Sequence, residues 1–291
     1  ELAEAIANHP LAARVMVNRV WKWHFGTGIV NTPSNFGQVG DRPSHPDLLE
    51  YLAQRFIDSG MSVKQLHRDI LMSHAYRQSN EPDEAAMAKD PQNRLYWRFS
   101  RQRLDSEQIR DSILFVSGLL DDKKVGGPSK SIDDPEFRRR AVYGKVSRFR
   151  LADYHATFDF PNPGISASQR FMTSVPLQRL FFMNSDFVYE AASELVDRTA
   201  KAPETDEKDK KKAKDETAAS EKPPTDEERI ERAYEILFQR APTEQELAAG
   251  LEFLADKKNQ KAEDDYREEP VAAWNLYARA LLSSNEFQFL N

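Results

Sequence analysis

The sequence contains no cysteine. Disulfides, iron–sulfur clusters, thiolate zinc sites, covalent haem attachment and cysteine nucleophiles are therefore all excluded for this chain. Long apolar runs are missing too: no segment approaches the ~20 apolar residues that a membrane-spanning helix needs, and no signal peptide is visible. Because the chain begins at Glu1 rather than Met, we expect a mature product or a piece of a longer protein.

Basic charge is not in excess. The 41 Lys and Arg residues are outnumbered by 47 Asp and Glu residues, which gives a net charge of −6. Such acidity opposes long-range attraction to phosphate and argues against nucleic acid as a partner. With 40% apolar and 10% aromatic residues, the 291-residue chain has enough apolar side chains for a self-sufficient core.

The clearest local patterns in the sequence are those that cap helices. Asn8 or His9 precedes a helical pattern that Gly26 ends, and Ser44 with Asp47 predicts the start of a second helix. The same Ser/Thr/Asp-x-x-Gln/Glu spacing predicts four further helix starts. These pairs are Ser62 with Gln65, Asp105 with Gln108, Thr225 with Glu228, and Thr243 with Glu246.

The central part has a different pattern. Residues 140–147 are β-branched and aromatic and form the best strand candidate, whereas 123–136 and 158–164 are rich in Gly and Pro and predict loops. We therefore predict a mainly α, multi-helix single domain with one small β element and a long irregular central region. Residues 1–200 would form the helical core, 201–226 a disordered charged insertion, and 227–291 helices that pack back on the core.

Histidines offer no obvious metal site. His67 and His74 share one helical face, but seven residues separate them by ~10 Å along the axis, too far for one metal ion. We predict packed, hydrogen-bonded histidines and no metal. His45 is different, because it starts a helix beside the long loop 27–43. There it suits either a neutral base or ligand, or hydrogen bonding to loop carbonyls.

Catalytic motifs are scarce: there is no Gly-x-Ser-x-Gly elbow and no Walker or dinucleotide-binding loop. A polar enzyme site would have to combine His45, Asn35, Arg103, Asp111 and Asp159. A basic segment offers a separate hypothesis, the binding of an anionic polymer such as a sulfated glycan. Its candidate residues are Arg138, Arg139, Arg140, Lys145, Arg148 and Arg150. A basic strand with a solvated face is the alternative.

Several longer motifs occur together along the chain. They are His9–Trp21, His24–Gly28, Thr32–Gly37, Pro43–Leu49, Leu66–Arg68, Asn93–Arg94, Arg103–Asp111, Phe158–Pro161, Asn184–Ser185, Phe187–Val188 and Ala280–Phe287. Together they resemble the planctomycete PSD-one domain, domain of unknown function 1553. In that family a cysteine often follows the serine that matches Ser166, and an arginine pair often comes after it. This chain has Ala167 and Gln169–Arg170 instead, which weakens a catalytic interpretation.

The resemblance implies a C-terminal domain of a large exported, cytochrome c-linked protein, hence an extracytoplasmic location. It implies no cofactor in this chain, since haem would belong to a separate cytochrome domain. Our first hypothesis is an accessory module for assembly with upstream domains of the parent protein or for glycan binding. The alternative is an extracytoplasmic carbohydrate-active enzyme with a site around His45, Arg103, Asp111 and Asp159; overall we favour a module without catalysis.

Overall fold

The computed structural model describes residues 1–127, 130–201, 223–256 and 272–290. These residues group into two compact units, each with its own hydrophobic core. The predicted mainly α class with one small β element is confirmed, and the single domain expected from sequence has two compact parts. Most of the predicted insertion, 202–222, lies outside the described residues, so the sequence-based boundaries remain predictions.

Unit 1 holds residues 1–103 and 166–170 and the C-terminal residues from Phe289. Its helices are α1 Leu2–Ala7, α2 Pro10–Phe25, α3 Pro46–Asp58, α4 Val63–Leu71 and α5 Glu84–Lys89. The buried faces of α2, α3 and α4 form the core around Val17, Trp21, Leu52 and Ile70. The only sheet in the described residues pairs β1 Gln102–Arg103 antiparallel with β2 Phe289–Leu290.

Unit 2 holds the described residues of Leu104–Ile165 and Phe171–Gln288. Its helices are α6 Ser106–Ser117, α7 Asp153–Thr157, α8 Pro176–Asn184, α9 Asp186–Ala200, α10 Asp226–Phe238, α11 Glu244–Ala255, α12 Ala273–Leu282 and α13 Asn285–Gln288. The core forms between α6, α9, α10 and α12, with the fully buried Ile113, Val188, Ile230 and Leu282.

Most predicted helix starts are confirmed. His9 caps α2 and Ser62 caps α4, each by accepting a backbone N–H, and Asp105 with Gln108 forms a reciprocal capping box on α6. Capping boxes also open α10 and α11. Ser44 was wrong as a cap: α3 starts after His45, and the Ser44 hydroxyl instead donates to the Ile29 carbonyl at 3.3 Å.

The predicted strand at 140–147 was also wrong. Ala141–Tyr143 is a short 3-10 helix, and the Asp111 carboxylate accepts the Ala141 N–H at 2.7 Å. Nearby ladder-type pairing is limited to one isolated bridge between Asp121 and Arg139. A β-branched, aromatic composition produces a strand only where a neighbouring strand supplies hydrogen bonds, and the described residues supply none beyond that bridge.

Candidate functional site

A polar cavity of about 550 Å³ lies in unit 1 between two loops. The first loop joins α2 to α3, and the second joins α5 to β1. The first contributes Thr27, Gly28, Asn31, Asp41, Arg42 and Ser44, and the second contributes Gln92, Asn93, Arg94 and Tyr96. The volume falls in the range of small-molecule sites, and most of the lining side chains can donate or accept hydrogen bonds.

Asn18 of α2 fixes the first loop from beneath. Its side chain is fully buried, donates to the Val30 carbonyl at 2.9 Å and accepts from the Val30 N–H at 2.8 Å. The loop passes so close that a Cβ on Gly28 would lie 2.5 Å from the Val30 carbonyl oxygen. Only glycine fits there without displacing backbone, so this wall is held in one shape by α2.

The second loop stores backbone strain at the cavity wall. Asn93 and Tyr96 both have left-handed backbone, with φ of 52° and 53°. For a bulky residue such as tyrosine this conformation is a genuine outlier, and such residues concentrate at functional sites. The buried Asn93 side chain holds the turn by donating to the Arg98 carbonyl and to Ser100 Oγ, both at 2.8 Å.

Tyr96 connects the cavity to the core of unit 1. Trp21 Nε1 donates to its hydroxyl at 2.8 Å, and its ring meets the Trp21 ring edge-to-face at 5.3 Å between centroids. Burial raises the pKa of Tyr96 above its ordinary value, so the hydroxyl stays protonated at neutral pH. An aromatic side chain fixed in this way presents a rigid surface to whatever occupies the cavity.

Two of the predicted site residues lie on the first loop: Asn35 within it, and His45 at its end, directly before α3. Asn35 accepts the Gly37 N–H at 3.1 Å and the Thr32 hydroxyl at 2.9 Å, so it shapes the turn that leads to Asp41. The His45 ring lies 5.5 Å from the Tyr96 ring, and its Nδ1 contacts Ser44 Oγ at 3.0 Å. Neither residue lines the cavity, although His45 contacts the lining residues Ser44 and Tyr96. Arg103 lies in β1 of the same unit.

The other two candidates, Asp111 and Asp159, lie in unit 2 and bind different segments. Asp111 accepts the Ala141 N–H and approaches Arg140 Nε at 3.7 Å, and burial raises the pKa of its carboxyl. Asp159, at a left-handed φ of 58°, accepts from the Thr173 N–H and from Gln178. Each carboxylate fixes an irregular segment, so the five candidates are divided between the two units.

Half of the basic segment is engaged within unit 2. Arg138 pairs with Glu190, and Arg140 lies near Asp111. Arg139 donates to the Lys124 and Gly126 carbonyls and stacks on Tyr143 at 4.6 Å. The remaining cations, Lys145, Arg148 and Arg150, are exposed around a fully exposed Phe149 and form no ion pair in the described residues.

The described residues contain no group of three or more His, Asp or Glu side chains placed to hold a metal ion. The sequence did not identify the hydrogen-bonding partner of His67, which is His24 of α2: His24 Nε2 lies 2.7 Å from His67 Nδ1. His74, predicted to be packed, is exposed. At 2.7 Å one imidazole donates to the other, so the two rings share a single proton at this contact.

Acidification is expected to destabilise unit 1 through this pair. Burial and the neighbouring His67 lower the pKa of His24. The unfolded chain takes up the proton near pH 6.5, before the folded protein does, so the free energy of unfolding falls as pH drops through that value toward the folded pKa. Urea unfolding at pH 7, 6 and 5, followed by tryptophan fluorescence, measures this loss.

His24→Gln should flatten that pH dependence, because the buried imidazole is gone. The exposed His74→Gln is the matched control and should keep the wild-type dependence. An identical pH dependence in wild type and His24→Gln would show that the pair has no such role.

Fold and cavity together define a mainly α-helical protein with a polar cavity in unit 1. The sequence matches the family described as "Protein of unknown function (DUF1553)", PSD1, over residues 1–254, so the chain belongs to that family. No curated protein and no solved structure matches the chain. Within the described residues, no helix combines the length and apolar character that crossing a membrane requires.

Proposed function

We propose that the chain is an accessory binding module whose unit 1 cavity takes a neutral glycan. The observation that carries this proposal is the preformed cavity of about 550 Å³ with polar lining side chains and one fixed aromatic residue. A sugar presents adjacent hydroxyl groups that both donate and accept. The amides of Asn31 and Gln92 and the charged groups of Asp41, Arg42 and Arg94 offer matching partners.

Preorganisation supports binding at this site. Asn18 beneath the first loop and Asn93 within the second hold both walls before any ligand arrives. A rigid site avoids the entropy cost of ordering loops and side chains during association. The cavity lining has both signs of charge, the carboxylate of Asp41 and the guanidinium groups of Arg42 and Arg94, so it can both accept hydrogen bonds from sugar hydroxyls and donate to them.

The described lining of the cavity has too few carboxylates for ordinary glycoside hydrolysis, which favours a binding function. Hydrolysis ordinarily uses two carboxylates on opposite sides of the scissile bond. Among the described residues that line the cavity, Asp41 is the only one with a carboxylate, and Asp111 and Asp159 belong to unit 2. The polar enzyme site suggested by the sequence therefore has less support than a binding site.

The test is a glycan array of neutral and acidic oligosaccharides with the full chain, followed by calorimetry on the sugars retained. Asp41→Ala and Arg94→Ala, both exposed on the cavity wall, should each weaken binding about tenfold or more, as expected for hydrogen bonds to charged groups. Arg68→Ala, an exposed arginine on α4, is the matched control. Absence of any retained sugar, or equal binding by all variants, would refute the proposal.

The enzyme alternative is tested with the same oligosaccharides, by measuring the reducing sugar released when the full chain is added. Release that is lost in Asp111→Asn or Asp159→Asn would establish the carbohydrate-active enzyme instead of the binding module.

A second candidate, anionic-polymer binding, is favoured by the three unpaired cations around Phe149. The triple variant Lys145→Ala, Arg148→Ala and Arg150→Ala should abolish retention on a sulfated polysaccharide column, and wild-type retention should weaken with salt. Arg138→Ala and Arg139→Ala are the contrast, because these arginines are already engaged within unit 2. Retention that does not depend on salt, or that the triple variant keeps, would contradict anionic-polymer binding at these residues.

We also propose that the module acts outside the cytoplasm, within an exported cytochrome-linked protein whose upstream domains are its assembly partners. The resemblance of its motifs to the PSD-one domain supports this, and the lack of cysteine means that any haem would be held covalently by another domain.

A further inference from the structure

Unit 2 contains a second cavity, of about 400 Å³, which shares no lining residue with the cavity of unit 1. It lies between the start of α9, the start of α7, the segment 132–138 and Arg110 of α6. Its apolar lining consists of Ile132, Pro135, Tyr154, Phe181 and Phe187. The size and the aromatic content are those of a small-ligand pocket rather than of a packing gap.

The two arginines that line the cavity are already engaged. Arg110 is 2% exposed, donates to the Phe137 carbonyl and, at 3.4 Å, to the Arg139 carbonyl. Its guanidinium also lies over the Phe187 ring, 5.2 Å from the centroid. Arg138 pairs with Glu190. The charge of Arg138 is therefore compensated by Glu190, and the guanidinium of Arg110 is buried against carbonyls and aromatic rings.

Carboxylates outnumber these cations around the cavity. The acidic lining residues are Asp133, Asp134, Asp153, Asp186 and Glu190, against the two arginines. Glu190 is paired with Arg138 and Asp134 with Lys130 at 3.2 Å. Asp133 accepts the N–H groups of Asp153 and Tyr154 but forms no ion pair in the described residues, and neither does Asp153. Negative charge thus remains beside an aromatic surface.

We propose that this cavity binds an organic cation, an ammonium group on an apolar body. The ammonium would lie at the Asp133 and Asp153 carboxylates, and the apolar body would pack against Phe181 and Phe187. Charge neutralisation and contact with aromatic rings both favour such a cation over a neutral molecule of the same shape. A free alkylamine and the side chain of a lysine in a partner protein share this chemistry.

The experiment uses calorimetry on the full chain with hexylamine as the probe and hexan-1-ol as the neutral control of similar shape. Hexylamine should bind saturably and at least tenfold more tightly than hexan-1-ol, and added NaCl should weaken only the amine. Nα-acetyl-lysine amide is the second probe: binding comparable to hexylamine identifies a lysine side chain as the natural group, and much weaker binding identifies a free amine. No saturable amine binding, or equal binding of amine and alcohol, would overturn the proposal.

Asp153→Asn tests the position of the cation. This exposed residue begins α7, and the amide preserves its shape, so the variant should remain folded with about tenfold weaker amine binding. Asp122→Asn, an exposed aspartate outside the cavity lining, is the matched control and should bind like wild type. Unchanged affinity in folded Asp153→Asn would contradict the assignment. Because the glycan site lies in unit 1, either proposal can fail without the other.

Discussion

Replacing Asn18 with alanine is expected to lower the free energy of unfolding of unit 1 by about 2–4 kcal/mol, because two buried backbone groups lose their partner. The Asn18 amide is 0% exposed and satisfies both the N–H and the C=O of Val30. Alanine satisfies neither group and also leaves an unfilled space beside Gly28. Urea unfolding followed by tryptophan fluorescence measures the change.

The same variant should lose glycan binding under conditions where it is still folded, since the first loop no longer has its support from α2. Asn8→Ala, an exposed asparagine at the end of α1, is the control and should keep wild-type stability and binding. A loss below about 0.5 kcal/mol in Asn18→Ala, the range of ordinary surface substitutions, would show that water or a rearranged loop satisfies Val30.

Arg110→Met is expected to destabilise unit 2 by about 2–4 kcal/mol, since buried carbonyls that lose a charged donor are costly. Methionine retains much of the apolar stem but cannot donate to the carbonyls of Phe137 and Arg139. It also loses the cation's contact with the Phe137 ring at 5.0 Å. Thermal unfolding should show a lower midpoint for this variant.

Burial lowers the pKa of Arg110, because desolvation disfavours its charged form. The hydrogen bonds to the two carbonyls stabilise that form. Arg148→Met is the matched control, because Arg148 is exposed and should tolerate the same substitution with little change. If Arg110→Met proved as stable as wild type, the apolar gain would outweigh the lost hydrogen bonds, and the cation would have no structural role.

The helices were predictable because their signals are local. In the capping boxes of α6, α10 and α11, residues three apart exchange hydrogen bonds within one segment, whatever packs around them. Ser44 had the right residue type for a cap but is used elsewhere, by the carbonyl of Ile29 fifteen residues earlier. The prediction of a strand at 140–147 was wrong for a similar reason. A strand forms only beside another strand, and the local sequence does not show whether one will pack there.

The candidate site was only partly predictable. The loop 27–43 and His45 were identified from composition and from the helix start; the loop contributes lining residues, and His45 contacts the lining residue Tyr96. Tyr96 and the strained turn at Asn93 were missed as site residues, although Asn93–Arg94 belongs to a family motif. The left-handed backbone of a tyrosine has no sequence signal, since it is imposed by contacts with distant residues.

The sequence by itself determined most of the helix starts that it signalled and their caps, the mainly α class and the family. Only the tertiary structure decided which polar groups meet: Asn18 with Val30, His24 with His67, and Trp21 with Tyr96, separated by 12, 43 and 75 residues along the chain. The physical reason is the separation along the chain between the groups that interact. A helix cap is satisfied within one turn of chain, whereas a cavity requires that distant segments pack together and that each buried polar group find its partner there.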